Sequence, residues 1–327
     1  MSVVLPAVAC SPFHGSSGPA AIRSHWLFLA GGSELWMVDT VTGRVRHEKN
    51  VPELSPGDPP YRILRRGDRL VSWSGATYVR TFDLRKPARV LAADGGIFIP
   101  SVRNDRVWLG IFDPKSNARL AAVREVTVAG KVTVPDVRPP RGSWPEGAVT
   151  DGLLIPRRSG VEVWNPVTRK ALRRLPIRYF PGTPFGNVVP SCSVDCRQLV
   201  LTDAHTGDRT IVQPPSGYAS FDATSGAFSP DGSLLAVPVA TERSRSNQNR
   251  WIDLALVDVR SRQVRIVGGS RVRPGYNLVT WASAGDTVFF TGGDRFKKRV
   301  VKAYGLGRPE ARIVYSGRGD FHGIAAR

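Results

Sequence analysis

Short apolar runs alternate along the chain with clusters of Gly, Pro, Asp and Asn, and the runs recur at a fixed spacing. Residues 226–267 show the unit most plainly: an apolar run, an Asp-Gly turn, SLLAVPV, a polar loop, WIDLALVD, a short turn, and RQVRIV. The runs are four to eight residues long and rich in Val, Leu, Ile, Trp and Phe, which is strand composition bounded by turn residues. No stretch of 12 or more residues holds a clean helical period, so the pattern predicts an all-β chain. Four antiparallel strands in succession form one blade of a β-propeller.

The polar residue that follows each third strand counts the blades. It falls at Asp39, Asp83, Glu125, Asn165, Asp203, Asp258 and Tyr304, with spacings of 44, 42, 40, 38, 55 and 46 residues. A period in the forties suits a four-stranded blade. The longest spacing contains one insertion, TERSRSNQNR at 241–250. A second strand precedes each landmark: HWLFLAG, DRLVSWS, DRVWLGIF, GLLIPRR, NVVPSC, SLLAVPV and DTVFFTG. Seven copies of the strand pair predict seven four-stranded antiparallel blades. A constant period reaching both ends argues against a pair of β-sandwiches and for one domain over 21–327. Blade 1 has no innermost strand of its own, and the C-terminal GDFHGIAAR is expected to supply it, closing the ring by pairing the two termini.

Two segments carry a resemblance. AFSPDGSLLAV at 227–237 resembles the turn-and-strand signature of TolB-like propellers, also called WD-repeat-like propellers. The segment from Cys192 to Val212, CSVDCRQLVLTDAHTGDRTIV, is similar to a blade in extracytoplasmic TolB-like proteins of high-GC Gram-positive bacteria. The Gly-His and Trp-Asp pairs of true WD repeats are absent. As a fold the resemblance covers most of the chain, and it is sharp in blades 5 and 6. It implies binding or scaffolding outside the cytoplasm without naming a ligand.

The net charge is +19, from 46 Lys plus Arg against 27 Asp plus Glu. Such a balance attracts polyanions, yet high genomic GC content inflates Arg, Ala, Gly and Pro together and explains it equally. The basic residues are spread over all blades and are not interleaved with aromatics, which argues against a nucleic-acid platform. A protein or an anionic cell-envelope polymer is the partner expected.

Cys192 and Cys196 flank three residues at a hairpin between the second and third strands of blade 5. Opposed positions across such a hairpin reach disulfide distance, so a structural disulfide in an oxidising compartment is expected; two free thiols are the alternative. Neither a metal set nor a C-x-x-C motif is present. Cys10 ends MSVVLPAVAC and precedes a Ser/Gly/Pro-rich stretch, so Ala7–Cys10 reads as an imperfect lipobox and Cys10 as a lipidation candidate. Residues 1–20 are then the remnant of an export or lipoprotein signal plus linker, with the true start upstream, or else a frayed apolar terminus. No apolar run reaches the 18 residues a membrane span requires.

Strand alternation also predicts the binding face. The loop between strands two and three shares a propeller face with the loop to the next blade, and the other turns lie opposite. The long loops 48–61, 135–146, 177–185 and 241–250 all belong to the first class. They carry Tyr61, Arg138, Arg141, Trp144, Arg178, Tyr179, Phe180, Phe185, Arg243, Arg245 and Arg250, the binding-face candidates. Length variation confined to one face of a repeat array marks a binding face. The Asp-Gly and DxxTG turns on the other face are explained by hairpin geometry.

Catalytic signals are weak. The histidines occur singly, no G-x-S-x-G elbow exists, and the Trp that follows the turns of quinone-cofactor propellers is absent. The chain reads as a monomeric, non-catalytic binding or scaffold module without cofactor or metal, secreted or anchored in the cell envelope. A propeller hydrolase or lyase with a central-channel site is the alternative.

Overall fold

A computed structural model describes residues 26–51, 54, 63–74, 76–81, 87–93, 97–113, 115–178, 182–193, 195–241, 251–275, 277–293, 299–317, 319 and 321–327. The strands form seven antiparallel sheets around an axis, a seven-bladed β-propeller. Blade 1 runs Gly323–Ala326, Trp26–Gly31, Glu34–Asp39, Val45–Glu48 from the centre outward. Blade 2 is Ile63–Arg66, Arg69–Trp73, Thr77–Thr81, Arg89–Ala92; blade 3 is Ile97–Pro100, Arg106–Asp113, Ser116–Thr127, Val132–Val137. Blade 4 is Gly147–Val149, Gly152–Arg157, Gly160–Asn165, Lys170–Leu175. Blade 5 has three regular strands, Val188–Cys192, Leu199–Asp203 and Arg209–Val212. In blade 6, Tyr218–Phe221 and Ala227–Phe228 both pair with Leu234–Thr241, followed outward by Ile252–Asp258 and Val264–Ile266. Blade 7 is Val279–Trp281, Thr287–Gly293, Arg299–Gly305, Arg312–Gly317.

The middle strands are apolar at consecutive positions because each blade buries both faces against its neighbours. Leu27 and Leu29 pack toward blade 7 with Phe289 and Val301, while Phe28 and Ala30 pack toward blade 2 with Ile63 and Leu70. Every junction between blades has an apolar cluster of this kind. Each fully buried Leu or Phe contributes about 1.5–3 kcal/mol of transfer free energy. The core is therefore a ring of seven interfaces.

The ring closes as expected. The strand Gly323–Ala326 pairs with Trp26–Gly31 in the register Leu27↔Ala326 to Ala30↔Gly323. Phe321, fully buried, meets Trp36 edge-on at 4.7 Å and Tyr315 at 5.6 Å.

Blade 5 is irregular at its centre. The segment at 182–186 fills the innermost place without forming a strand: Gly182 N–H donates to Pro190 (2.8 Å), and Phe185 exchanges bonds with Val188. A Cβ on Gly182 would lie 2.1 Å from the Ala223 carbonyl oxygen, so the close approach to blade 6 requires glycine.

The landmark residues divide by role. Asp39 Oδ1 accepts the N–H groups of Val41 (2.9 Å) and Thr42 (3.0 Å), and Asp203 Oδ1 those of His205 (2.6 Å) and Thr206 (2.9 Å). Asn165 caps its turn in the same way, at 2.9 Å from both Val167 and Thr168. These turns are built by Asx geometry with glycine at positive φ following at Gly43 and Gly207. Glu125 departs from the pattern. It sits inside its strand, buried, and bonds Ser101 (2.6 Å), Arg106 (3.1 Å) and Thr133 (2.6 Å), tying the strands of blade 3 together. Tyr304 is also buried, and its hydroxyl accepts from Arg265 at 2.7 Å across to blade 6. Asp83 lies outside the described residues.

Candidate binding face

The loop from blade 3 to blade 4 supplies the best-formed feature of the predicted face. Pro139 and Pro140 fix their own φ near −65° and lead into a single turn at Pro140–Gly142, closed by Gly142 N–H to Pro139 and Ser143 N–H to Pro140, both 3.1 Å. Arg141 (φ 55°) and Gly142 (φ 64°) are both left-handed. For arginine that conformation costs roughly 1–2 kcal/mol. Arg157, paired with Glu162 at 2.7 Å, donates to Ser143 Oγ at 3.1 Å and holds the far side of the loop. Trp144 packs edge-on against Phe112 at 4.7 Å. Burial raises the Glu146 carboxyl above its ordinary pKa.

The hairpin between the second and third strands of blade 3 rises beside this loop. Its register slips between Ser116 and Leu120, and Arg119 stands exposed at the slip. The hairpin comes close because position 142 has no side chain. A Cβ there would lie 3.1 Å from Arg119 Cβ and 3.2 Å from the Leu120 carbonyl oxygen. The two loops border an open cavity of about 320 Å³ lined by Asp113, Arg119, Leu120, Arg138, Arg141 and Gly142. Among the described residues, three arginines and one aspartate thus line it. Asp113 Oδ1 accepts the Lys115 N–H at 2.9 Å. Among the described residues, no ion pair joins Arg119, Arg138 or Arg141 to a carboxylate.

A second cluster sits where blade 6 meets blade 7. Asp253 is buried and hydrogen-bonded by three side chains: Tyr218 Oη donates to it at 3.0 Å, Arg271 at 3.1 Å and Ser270 Oγ at 3.3 Å. Hydrogen bonding to Asp253, with its negative charge, raises the Arg271 pKa further above its usual value. Burial, followed by the bond to Asp253, raises the Tyr218 phenol. Exposed Trp251 lies under the Arg273 guanidinium, 5.8 Å from the ring centroid.

The candidates from the sequence fare differently. Arg138 and Arg141 both line the cavity, and Trp144, from the same loop, packs on Phe112. Arg178 is exposed and apart from that cluster. Tyr61, Tyr179, Phe180, Arg243, Arg245, Arg250 and Cys10 lie outside the described residues. Phe185 is on the wrong side of the prediction. Its ring covers Gly232, where a Cβ would approach it to 2.2 Å, and it leans on Phe228 at 5.8 Å. The chain has by then crossed the centre of blade 5 to the Asp231–Gly232 turn on the opposite face. Arg119, Asp113, Trp251, Arg271 and Arg273 were not singled out by the sequence. The face rule covers Arg119, since its hairpin joins strands two and three, but the hairpin is too short to attract notice.

Cys192 and Cys196 are free thiols in the structure. They are not opposed across the ladder: Cys192 pairs with Leu199, and Cys196 lies in the connecting loop at φ 55°. Cys192 Sγ donates to the Phe221 carbonyl at 3.6 Å, and Phe221 N–H donates to the Cys196 carbonyl at 2.9 Å, joining blades 5 and 6. Burial, with the neighbouring Cys196 thiol, pushes the Cys192 thiol up to about 12. Among the described residues no three His, Cys, Asp or Glu side chains gather as a metal set, and no helix is long and apolar enough to cross a membrane.

No family model matches the chain, and no curated protein matches it. Solved structures do. A prolyl endopeptidase is 9% identical over 90% of this chain and 50% of its own, with a TM-score of 0.56. A protein assigned as a 6-phosphogluconolactonase from Bacteroides fragilis is 12% identical over 95% of this chain and 100% of its own, with a TM-score of 0.50. TolB from Acinetobacter baumannii is 13% identical over 91% of this chain and 80% of its own, with a TM-score of 0.47. At these identities the likeness is one of fold, the β-propeller.

Proposed function

We propose that the chain is a non-catalytic binding or scaffold propeller, akin to the extracytoplasmic TolB-like propellers of high-GC Gram-positive bacteria. In this reading it engages a protein or an anionic envelope partner through its loop-rich face. The observation that carries this is the convergence of Arg119, Arg138 and Arg141, from two separate loops, on one cavity beside Trp144. Like charges repel, so a rigid blade that gathers them on a shaped surface is organised for a ligand of opposite sign.

The cellular setting belongs to the same proposal. Outside the cytoplasm, a disulfide-donating oxidant would accept the two electrons and two protons released as Cys192 and Cys196 join. Cys10 would serve as the lipid anchor. Intact mass with and without reductant, on protein isolated from the native envelope, tests the first; a lipid adduct on Cys10 tests the second.

The decisive experiment compares faces. Trp144→Ala and the charge-reversed pair Arg243→Glu/Arg245→Glu should each weaken capture of the envelope partner about tenfold or more, as expected for an aromatic or arginine anchor. His205→Ala, on the short-turn face, should leave capture unchanged. Equal capture by all three proteins would overturn the reading.

A further inference from the structure

We infer that the cavity between blades 3 and 4 is a site for a phosphate ester that carries a free hydroxyl. The inference rests on the binding-face reading above and adds the ligand's chemistry. Three arginines, Arg119, Arg138 and Arg141, line one cavity and find no carboxylate partner among the described residues. The Asp253 cluster is the contrasting case, because its carboxylate is already bonded to Tyr218, Ser270 and Arg271.

Charge and donor count select the ligand. One carboxylate is satisfied by a single forked guanidinium, whereas a phosphate monoester presents three free oxygens and up to two charges. Three arginines around one cavity match the second. At about 320 Å³ the cavity lies at the bottom of the range for small-molecule sites, about 300–1,000 Å³, so it fits a compact polar group rather than a large ligand. Among the described residues, Asp113 is the one acidic residue of the lining. It repels the phosphoryl charge of the ester and of the inorganic ion alike, but a hydroxyl on the esterified alcohol can donate a hydrogen bond to it, and that bond favours the ester. The architecture supports a built site. The left-handed Arg141 is held between two prolines and Gly142, and glycine at 142 is what lets Arg119 approach.

Two sources share this chemistry, a small soluble phosphate ester and the terminal unit of a phosphate-bearing polymer. Titration calorimetry on the full chain at constant ionic strength would use glycerol 3-phosphate, inorganic phosphate and acetate, with a phosphate-terminated glycerol phosphate oligomer as the polymer probe. Saturable binding is expected in the order glycerol 3-phosphate, phosphate, acetate. Tighter binding of the oligomer than of glycerol 3-phosphate assigns the polymer, and the reverse assigns the small ester. Arg138→Gln and Arg141→Asn, the latter chosen because Asn tolerates the left-handed conformation, should each weaken glycerol 3-phosphate about tenfold, the loss of one charge-assisted hydrogen bond. Asp113→Ala, which leaves no acceptor for the hydroxyl, should erase the preference for the ester over phosphate. The double variant Arg173→Gln/Arg209→Gln removes two exposed charges elsewhere and should bind as wild type. Non-saturating heats with every anion, or equal losses in that control, would overturn the assignment. Partner capture by Trp144→Ala is read separately, so failure of the anion site and failure of the face are distinguishable.

Discussion

At the scale of single residues, the polar landmarks are the most instructive. Asp39 and Asp203 have the expected turn role, Asn165 shares it, and the reason lies in their own backbone: each side chain bonds N–H groups two and three residues ahead. Glu125 stands at the same repeat position yet turns inward, because Ser101, Arg106 and Thr133 are there to receive it. A local role can be read from local sequence; a role set by residues up to 24 positions away cannot. Cys192 provides a prediction at this scale. Its thiol is pushed up to about 12 chiefly by burial. Folding therefore favours the protonated thiol: that stability is full below the unfolded-state pKa, about 8.5, and is lost as the pH rises through the folded value. In reduced protein near neutral pH, iodoacetamide should alkylate Cys192 about a hundredfold more slowly than in the denatured chain, allowing for the greater nucleophilicity of a more basic thiolate. Peptide mass spectrometry against time would measure it, and equal rates would refute the burial argument.

At the scale of elements, the second and third strands were legible throughout, since they are buried on both faces and therefore apolar at consecutive positions. The inner place of blade 5 was not. Between Arg178 and Asn187 the sequence is rich in Pro and Gly and reads as a loop, and only its bonds to Pro190 and Val188 make 182–186 part of the sheet. That is why Phe185 was assigned to the wrong face. The loop at 135–146 is a binding-face candidate from its length and its arginines, but the cavity depends on the hairpin carrying Arg119, which belongs to another part of the blade. Gly142→Ala tests this packing. An alanine forced to φ 64°, with its Cβ about 3.1–3.2 Å from two neighbours, should cost roughly 1–3 kcal/mol. Chemical denaturation would show it as a lower midpoint at unchanged slope. Wild-type stability would mean that the loops separate freely.

At the scale of the whole molecule, stability resides in seven interfaces arranged in a ring, and the closure between the termini completes blade 1. Deleting 319–327 removes the inner strand with the fully buried Phe321, Ala325 and Ala326, and exposes the edge at Trp26–Gly31. The loss should be at least several kcal/mol and lower the melting temperature by about 10 °C or more. A truncation that melts like the full chain would mean that closure contributes little. The number of blades, their order and the closure of the ring follow from the sequence alone, because a repeat that buries both faces writes its period into the apolar pattern and leaves unmatched strands at both ends. Tertiary structure alone decided which side chains meet on the loop-rich face. Arg119, Arg138 and Arg141 come together through a register slip, a left-handed turn and the absence of a Cβ at Gly142, and none of these leaves a periodic signal in the sequence.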